Sequence, residues 1–167
     1  MIDFAKTRER FERELGGLVP PPLTLVEREL RTPPALGDIG AAVAAALGPL
    51  PVPPGRIAVG VGSRGIARLD EVVKAVVREL RERGAEPFIV PAMGSHGAST
   101  AAGQADVLAH LGITETSVNA PVRATMETVC LGRTARGVAV YMDALAHAAD
   151  AIVVPLKASP KTGTSIV

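Results

Sequence analysis

A chain of 167 residues is long enough for one domain with a real core and too short for two generous ones. Its apolar fraction is 47%, yet it holds one Tyr, three Phe and no Trp, so the core must be aliphatic and stacked bases would find few platforms. The 18 basic and 17 acidic residues leave a net charge of +1, against nucleic acid as a partner, and no run reaches the roughly 18 apolar residues of a membrane span.

A single cysteine, Cys130, excludes an internal disulfide framework and a Cys-rich zinc site. Within Val129-Cys130-Leu131 it reads as a small buried hydrophobe. Met1 to Glu14 alternate in charge around no hydrophobic signal core, so the cytoplasm is the default compartment.

Residues 3–15 gather charges around Phe4, Phe11 and Leu15 and predict a short helix or arm, ended by Pro20-Pro21-Pro22. Residues 23–30 predict an early strand or extended arm. Pro33-Pro34 precede an Ala-rich helix over 38–47, and Pro49, Pro51, Pro53 and Pro54 form a stiff connector. The first clear core strand is Arg56-Ile57-Ala58-Val59-Gly60-Val61. Over residues 67–83, Leu69, Val72, Val73, Val76, Val77 and Leu80 recur at helical spacing, with Arg68, Lys74, Arg78, Arg81 and Glu82 opposite and Gly84 as the stop. Pro87 opens a second strand, Phe88-Ile89-Val90. Ser99 or Thr100 caps a helix over 101–111 that Gly112 closes.

Residues 114–125 read as loop. Strands follow over 127–132 and 138–142, joined by a turn at 133–137, then a short helix over 143–149 and a buried strand, Ala151-Ile152-Val153-Val154. This order predicts an α/β layered fold, a mostly parallel sheet flanked by helices. The expected organisation is an arm over 1–22, the α/β domain over 23–156 and a truncated or divergent tail over 157–167. The tail is polar and stops soon after a strand, where an α/β domain would normally supply another helix, so the chain reads as the front part of something longer. Exposed apolar surface and self-association are then expected.

Two glycine-flanked loops carry the functional signal. One is Gly60-Val61-Gly62-Ser63-Arg64-Gly65, the other Met93-Gly94-Ser95-His96-Gly97. Each follows an apolar run and precedes a helix, and ligands of open α/β sheets bind at that edge. Gly60-x-Gly62-x-x-Gly65 matches the dinucleotide fingerprint, but the second strand ends Val90-Pro91-Ala92 with no acid for a ribose, and Arg64 stands inside the turn. Three readings stay open: an NAD-type site, a turn that needs glycine for its backbone, and an anion site. The last would use helix-start amides, the Ser63 hydroxyl and the Arg64 fork. His96 faces the same crevice as a candidate acid–base. His110 and His147, late in their helices, read as structural, and Lys157 and Lys161 as solvated charges. The three histidines are too dispersed for a self-contained metal site.

Gly62-Ser63-Arg64-Gly65-Ile66-Ala67, Pro91-Ala92-Met93-Gly94-Ser95-His96-Gly97 and Ala105-x-x-Leu108-x-x-Leu111-Gly112-Ile113 together resemble the N-terminal domain of nickel-dependent lactate racemase and its homologues. The likeness continues through Gly137-Val138-x-Val140-Tyr141-Met142-Asp143 and Ala149-Asp150-x-Ile152-Val153-Val154, covering roughly residues 20–155. The resemblance implies that the chain is the N-terminal domain of a larger two-domain enzyme, and it implies racemisation or epimerisation of 2-hydroxy acids with a nickel-pincer nucleotide tethered to a lysine. By that resemblance, His96 matches the first of two catalytic histidines. Val61, Gly62, Ser63 and Arg64 match the loop that holds cofactor or substrate, with Arg64 as the carboxylate clamp.

This chain departs from the pattern in three places. Val61 stands where the lactate racemase has an acid. Ser159-Pro160-Lys161-Thr162 puts lysine where the family's second catalytic histidine falls. No residue takes the role of tether lysine or nickel ligand. The chain is therefore expected neither to retain the pincer nor to turn over substrate alone. Its expected partner is a small 2-hydroxy acid, with an NAD-type oxidoreductase domain and a non-catalytic anion-binding domain as the alternatives.

Overall fold

The computed structural model describes residues 8–10, 13, 14, 16, 36–63 and 66–155. The chain divides into two units, Met1–Ala35 and Leu36–Val167. In the first, residues 8–10, 13 and 14 are helical and Arg10 pairs with Glu14 one turn on, at 2.8 Å. The expected arm or strand over 23–30, Arg64, and the tail from 157 with Lys157 and Lys161 lie outside the described residues.

The second unit opens with α1, Ile39–Leu47, whose N-cap Asp38 accepts the Ala41 N–H at 2.9 Å. Strand β1, Gly55–Val61, then α2, Leu69–Glu82, and β2, Ala85–Pro91, form a parallel crossover unit. Of the six apolar positions expected on α2, five are buried and Val72 is half-buried. Gly84 takes φ +82 after the helix, a left-handed turn that glycine adopts without steric penalty. Strand β2 starts two residues earlier than the sequence suggested, with Pro87 inside it. The Ile89 N–H points away from β1, to the Pro121 carbonyl, so the missing N–H of Pro87 falls on the same outer side and breaks no bond to β1.

Helix α3, Ala101–His110, is capped by Thr100, and Gly112 follows at φ +79. The expected loop over 114–125 contains a helical turn, α4, Glu115–Val118. A reciprocal capping box between Thr114 and Ser117 stabilises it, a local pairing that hydrophobic periodicity does not reveal. Strands β3, Thr128–Arg133, and β4, Ala139–Asp143, form a separate antiparallel pair. Helix α5, Ala144–His147, leads to β5, Ala151–Val153, which joins the other side of β1.

The result is a three-stranded parallel sheet in the order β2-β1-β5, plus the two-stranded hairpin. Alternation along the strands divides the core. Ile57, Val59, Val61 and Ile89 pack on Leu69, Val73, Val76, Val77 and Leu80 of α2 and Leu108 of α3. Ala58, Phe88 and Val90 face the other way, onto Ala146 of α5. The mixed α/β architecture with a parallel sheet is as expected. Cys130 is a correction: it is exposed, because β3 lies outside the parallel sheet and its residues are almost all exposed. No helix among the described residues is long and apolar enough to cross a membrane.

Candidate functional site

Register brings the two loops together. Val61 pairs with Pro91 at the carboxyl ends of β1 and β2, and the Val61 carbonyl accepts the Ala92 N–H at 2.8 Å one step further. Val61 itself is 1% exposed with its side chain in the core, so it can serve the loop through its backbone alone. Gly60 is buried against Ala92 and Val154, where a Cβ would lie 3.3 Å from Val154 Cγ2.

Ser63 and His96, both half-buried, meet at 2.5 Å between Oγ and Nδ1. Either atom can donate, depending on the ring tautomer. With the Nδ1 proton donated to Oγ, the basic lone pair sits on Nε2 and the hydroxyl proton of Ser63 is directed elsewhere. The sequence offered Ser63 as a ligand of an anion, cofactor or substrate; its partnership with His96 follows from the strand register. Arg64, the proposed clamp, lies outside the described residues.

The histidine loop is held by α3. Gln104, 6% exposed, donates through Nε2 to the Gly94 carbonyl at 2.8 Å. Thr100 Oγ1 donates to the Gly97 carbonyl and accepts the Gly103 N–H, both at 3.0 Å. Gly97 and Gly103 touch backbone to backbone: a Cβ on Gly97 would overlap the Gly103 carbonyl group, and one on Gly103 would overlap the Gly97 carbonyl. Gly97, Ala98 and Ser99 take φ +64, +56 and +55, a left-handed turn directly after His96. Gln104 and Gly103 were not singled out by sequence reasoning. The available signal was Gln104 four residues before Leu108, a polar side chain on the buried stripe.

The α2 start is not the anion cradle the sequence suggested. Its N-cap Arg68 is left-handed at φ 54 and makes no side-chain cap. Arg68 instead pairs with Glu71, Nε to Oε1 at 2.7 Å. Asp70 and Glu71 occupy the first turn, so an anion there would meet carboxylates. The hydrogen bond from Arg68 holds the Glu71 carboxyl below the ordinary carboxylate range. Gly62 has only an ordinary contact, its Cβ position lying 3.6 Å from the Ala92 carbonyl oxygen, and Gly65 falls four residues before helical Leu69. The glycine spacing is thus not followed at once by helix amides, as a dinucleotide fingerprint requires.

His110 and His147 end α3 and α5, both exposed, with His110 Nδ1 2.7 Å from the Asp106 carbonyl of its own helix. Among the described residues, no three or more His, Cys, Asp or Glu side chains converge on a potential metal position. No protein-family model, curated protein or solved structure matches this chain.

Proposed function

We propose that this chain supplies the acid–base half of a racemase or epimerase of 2-hydroxy acids, as an N-terminal domain working in the cytoplasm. The observation that carries the reading is the hydrogen bond between Ser63 and His96 at the carboxyl ends of adjoining parallel strands.

In this reading the substrate hydroxyl donates to His96 Nε2. Ser63 Oγ accepts the Nδ1 proton, which fixes the ring plane and stabilises the imidazolium that forms. The Ser63 hydroxyl proton then turns to a carboxylate oxygen of the substrate. Arg64, next in sequence, supplies the cation for that carboxylate. General acid–base help of this kind is worth about 10²–10⁴ in rate. The resemblance also implies a nickel-pincer nucleotide as hydride carrier. Among the described residues His96 belongs to no cluster of three or more metal-ligating side chains, and none of them is assigned to hold nickel. No step through nickel is therefore assigned to these residues, and their share of the chemistry is the proton on the hydroxyl.

The test is a nuclear magnetic resonance titration of the histidine-labelled chain with lactate, and with propionate as the carboxylate lacking the hydroxyl. Lactate is expected to move the His96 ring signals saturably, propionate much less, and Ser63→Ala to weaken the response. Equal responses to both acids would reduce the site to a carboxylate binder. Tight micromolar NADH binding with no lactate response would replace the proposal by the dinucleotide reading.

A further inference from the structure

The opposite end of the sheet holds a second constellation. Segment 121–123 runs beside β2 through a single bridge: the Ile89 N–H donates to the Pro121 carbonyl at 2.8 Å, and the Arg123 N–H to the Ile89 carbonyl at 2.9 Å. Glu115 Oε1 steadies the segment by accepting the Val122 N–H at 3.1 Å. Val122 packs with the Ile89 side of the core, so its neighbour Arg123 projects to the Phe88 side. Arg56, at the start of β1, projects to that side as well.

The two guanidinium carbons sit 5.2 Å (Arg56) and 5.6 Å (Arg123) from the centroid of the Phe88 ring. The ring is 3% exposed and fixes both side chains from below. Arg81, from the last turn of α2, lines the same cleft of about 520 Å³ with Glu86, Pro87 and Pro121. Elsewhere Arg68, Arg78 and Arg83 each have a glutamate partner. Among the described residues, no carboxylate forms an ion pair with the guanidinium of Arg56, Arg81 or Arg123, and Asp150 Oδ2 accepts only the backbone N–H of Arg56, at 2.7 Å. Three guanidiniums thus share one cleft with a single acid, Glu86, in its lining.

We infer that this cleft binds a phosphate-bearing small molecule through Arg56, Arg81 and Arg123. Planar N–H forks match phosphate oxygens, and a group with two or more negative charges answers several guanidiniums where a monocarboxylate answers one. Stacking on Phe88 has already removed much of the side-chain freedom that binding would otherwise have to freeze. The volume lies in the range of small-ligand sites. The cleft sits at the amino ends of β1 and β2, roughly 20 Å along the strands from Ser63 and His96, so it stands or falls independently of the reading above.

Inorganic pyrophosphate, titrated calorimetrically into the full chain, is the probe. Saturable binding is expected, weakened about tenfold by Arg81→Gln and further by Arg56→Gln with Arg123→Gln. Amide signals of Ala85, Glu86 and Arg123 should move while those of Ser63 and His96 stay. Arg81 does not stack on Phe88, so its variant keeps the test valid if the double variant fails to fold. Absence of saturable binding, or binding unchanged in Arg81→Gln, overturns the inference. Tighter binding of oligoglutamate or of a single-stranded oligonucleotide than of pyrophosphate also overturns it, in favour of a macromolecular partner.

Discussion

At the scale of single residues, the His96 loop depends on backbone contacts that exclude side chains. Gly97 sits at φ +64 against the Gly103 backbone, whereas Gly94 sits at φ +60 with nothing within 4 Å of a Cβ. Gly94→Ala should therefore lose only the left-handed backbone preference, about 1–2 kcal/mol. Gly97→Ala adds a clash with backbone that cannot swing aside, and should lose about 3–5 kcal/mol. Urea unfolding of the two variants measures the difference, and equal losses would disprove the close approach. Gln104 is the residue-scale complement: a buried amide whose hydrogen bond to Gly94 orders the loop from inside.

At the scale of elements, the start of α2 combines backbone strain with an ion pair. Arg68 is a left-handed N-cap, and its guanidinium holds Glu71. The Glu71 carboxyl is depressed by that hydrogen bond, so the pair's stabilisation is present above the unfolded carboxylate range and fades as pH falls through the folded one. The strain at Arg68 does not titrate. Arg68→Gly relieves the strain at every pH and forfeits the pair only where the pair exists. It should therefore raise the thermal midpoint more at about pH 3 than at about pH 7, and the reverse order would contradict the pairing. The hairpin supplies a second expectation. Exposed Cys130 should react with a thiol reagent in the native state at a rate near that of the unfolded chain, and Cys130→Ser should change stability by less than about 0.5 kcal/mol.

Those two elements also show what the residues reveal and what they conceal. Strand β1 and helix α2 were readable because a short continuous apolar run and a 3.6-residue period stand out and Gly84 marks the helix end. Val129-Cys130-Leu131 has the same apolar texture as a core strand, and only long-range pairing decides that β3 meets β4 alone. The meeting of the two loops was readable from parallel-strand logic. The Ser63–His96 bond was not, because it depends on a register of one residue between β1 and β2.

At the scale of the whole second unit, α2 and α3 pack on one side of the sheet, and short α5 covers part of the other. Ile152 and Val154 remain 40% and 42% exposed, and Val138 and Tyr141 of the hairpin region 62% or more. Such surface drives association, so concentration-dependent sedimentation is expected, and Tyr141→Lys should shift it toward the monomer. Sedimentation independent of concentration in the parent chain would refute this.

The placement of Pro87 gives the sheet a direction. A pyrrolidine ring faces outward on β2, where a neighbouring chain would look for an amide to zip onto, and the next outward amide is already engaged by Pro121. That flank is sealed against annealing. Among the described residues the opposite edge, β5, has no further strand beside it, so another molecule that enlarges this sheet would dock there.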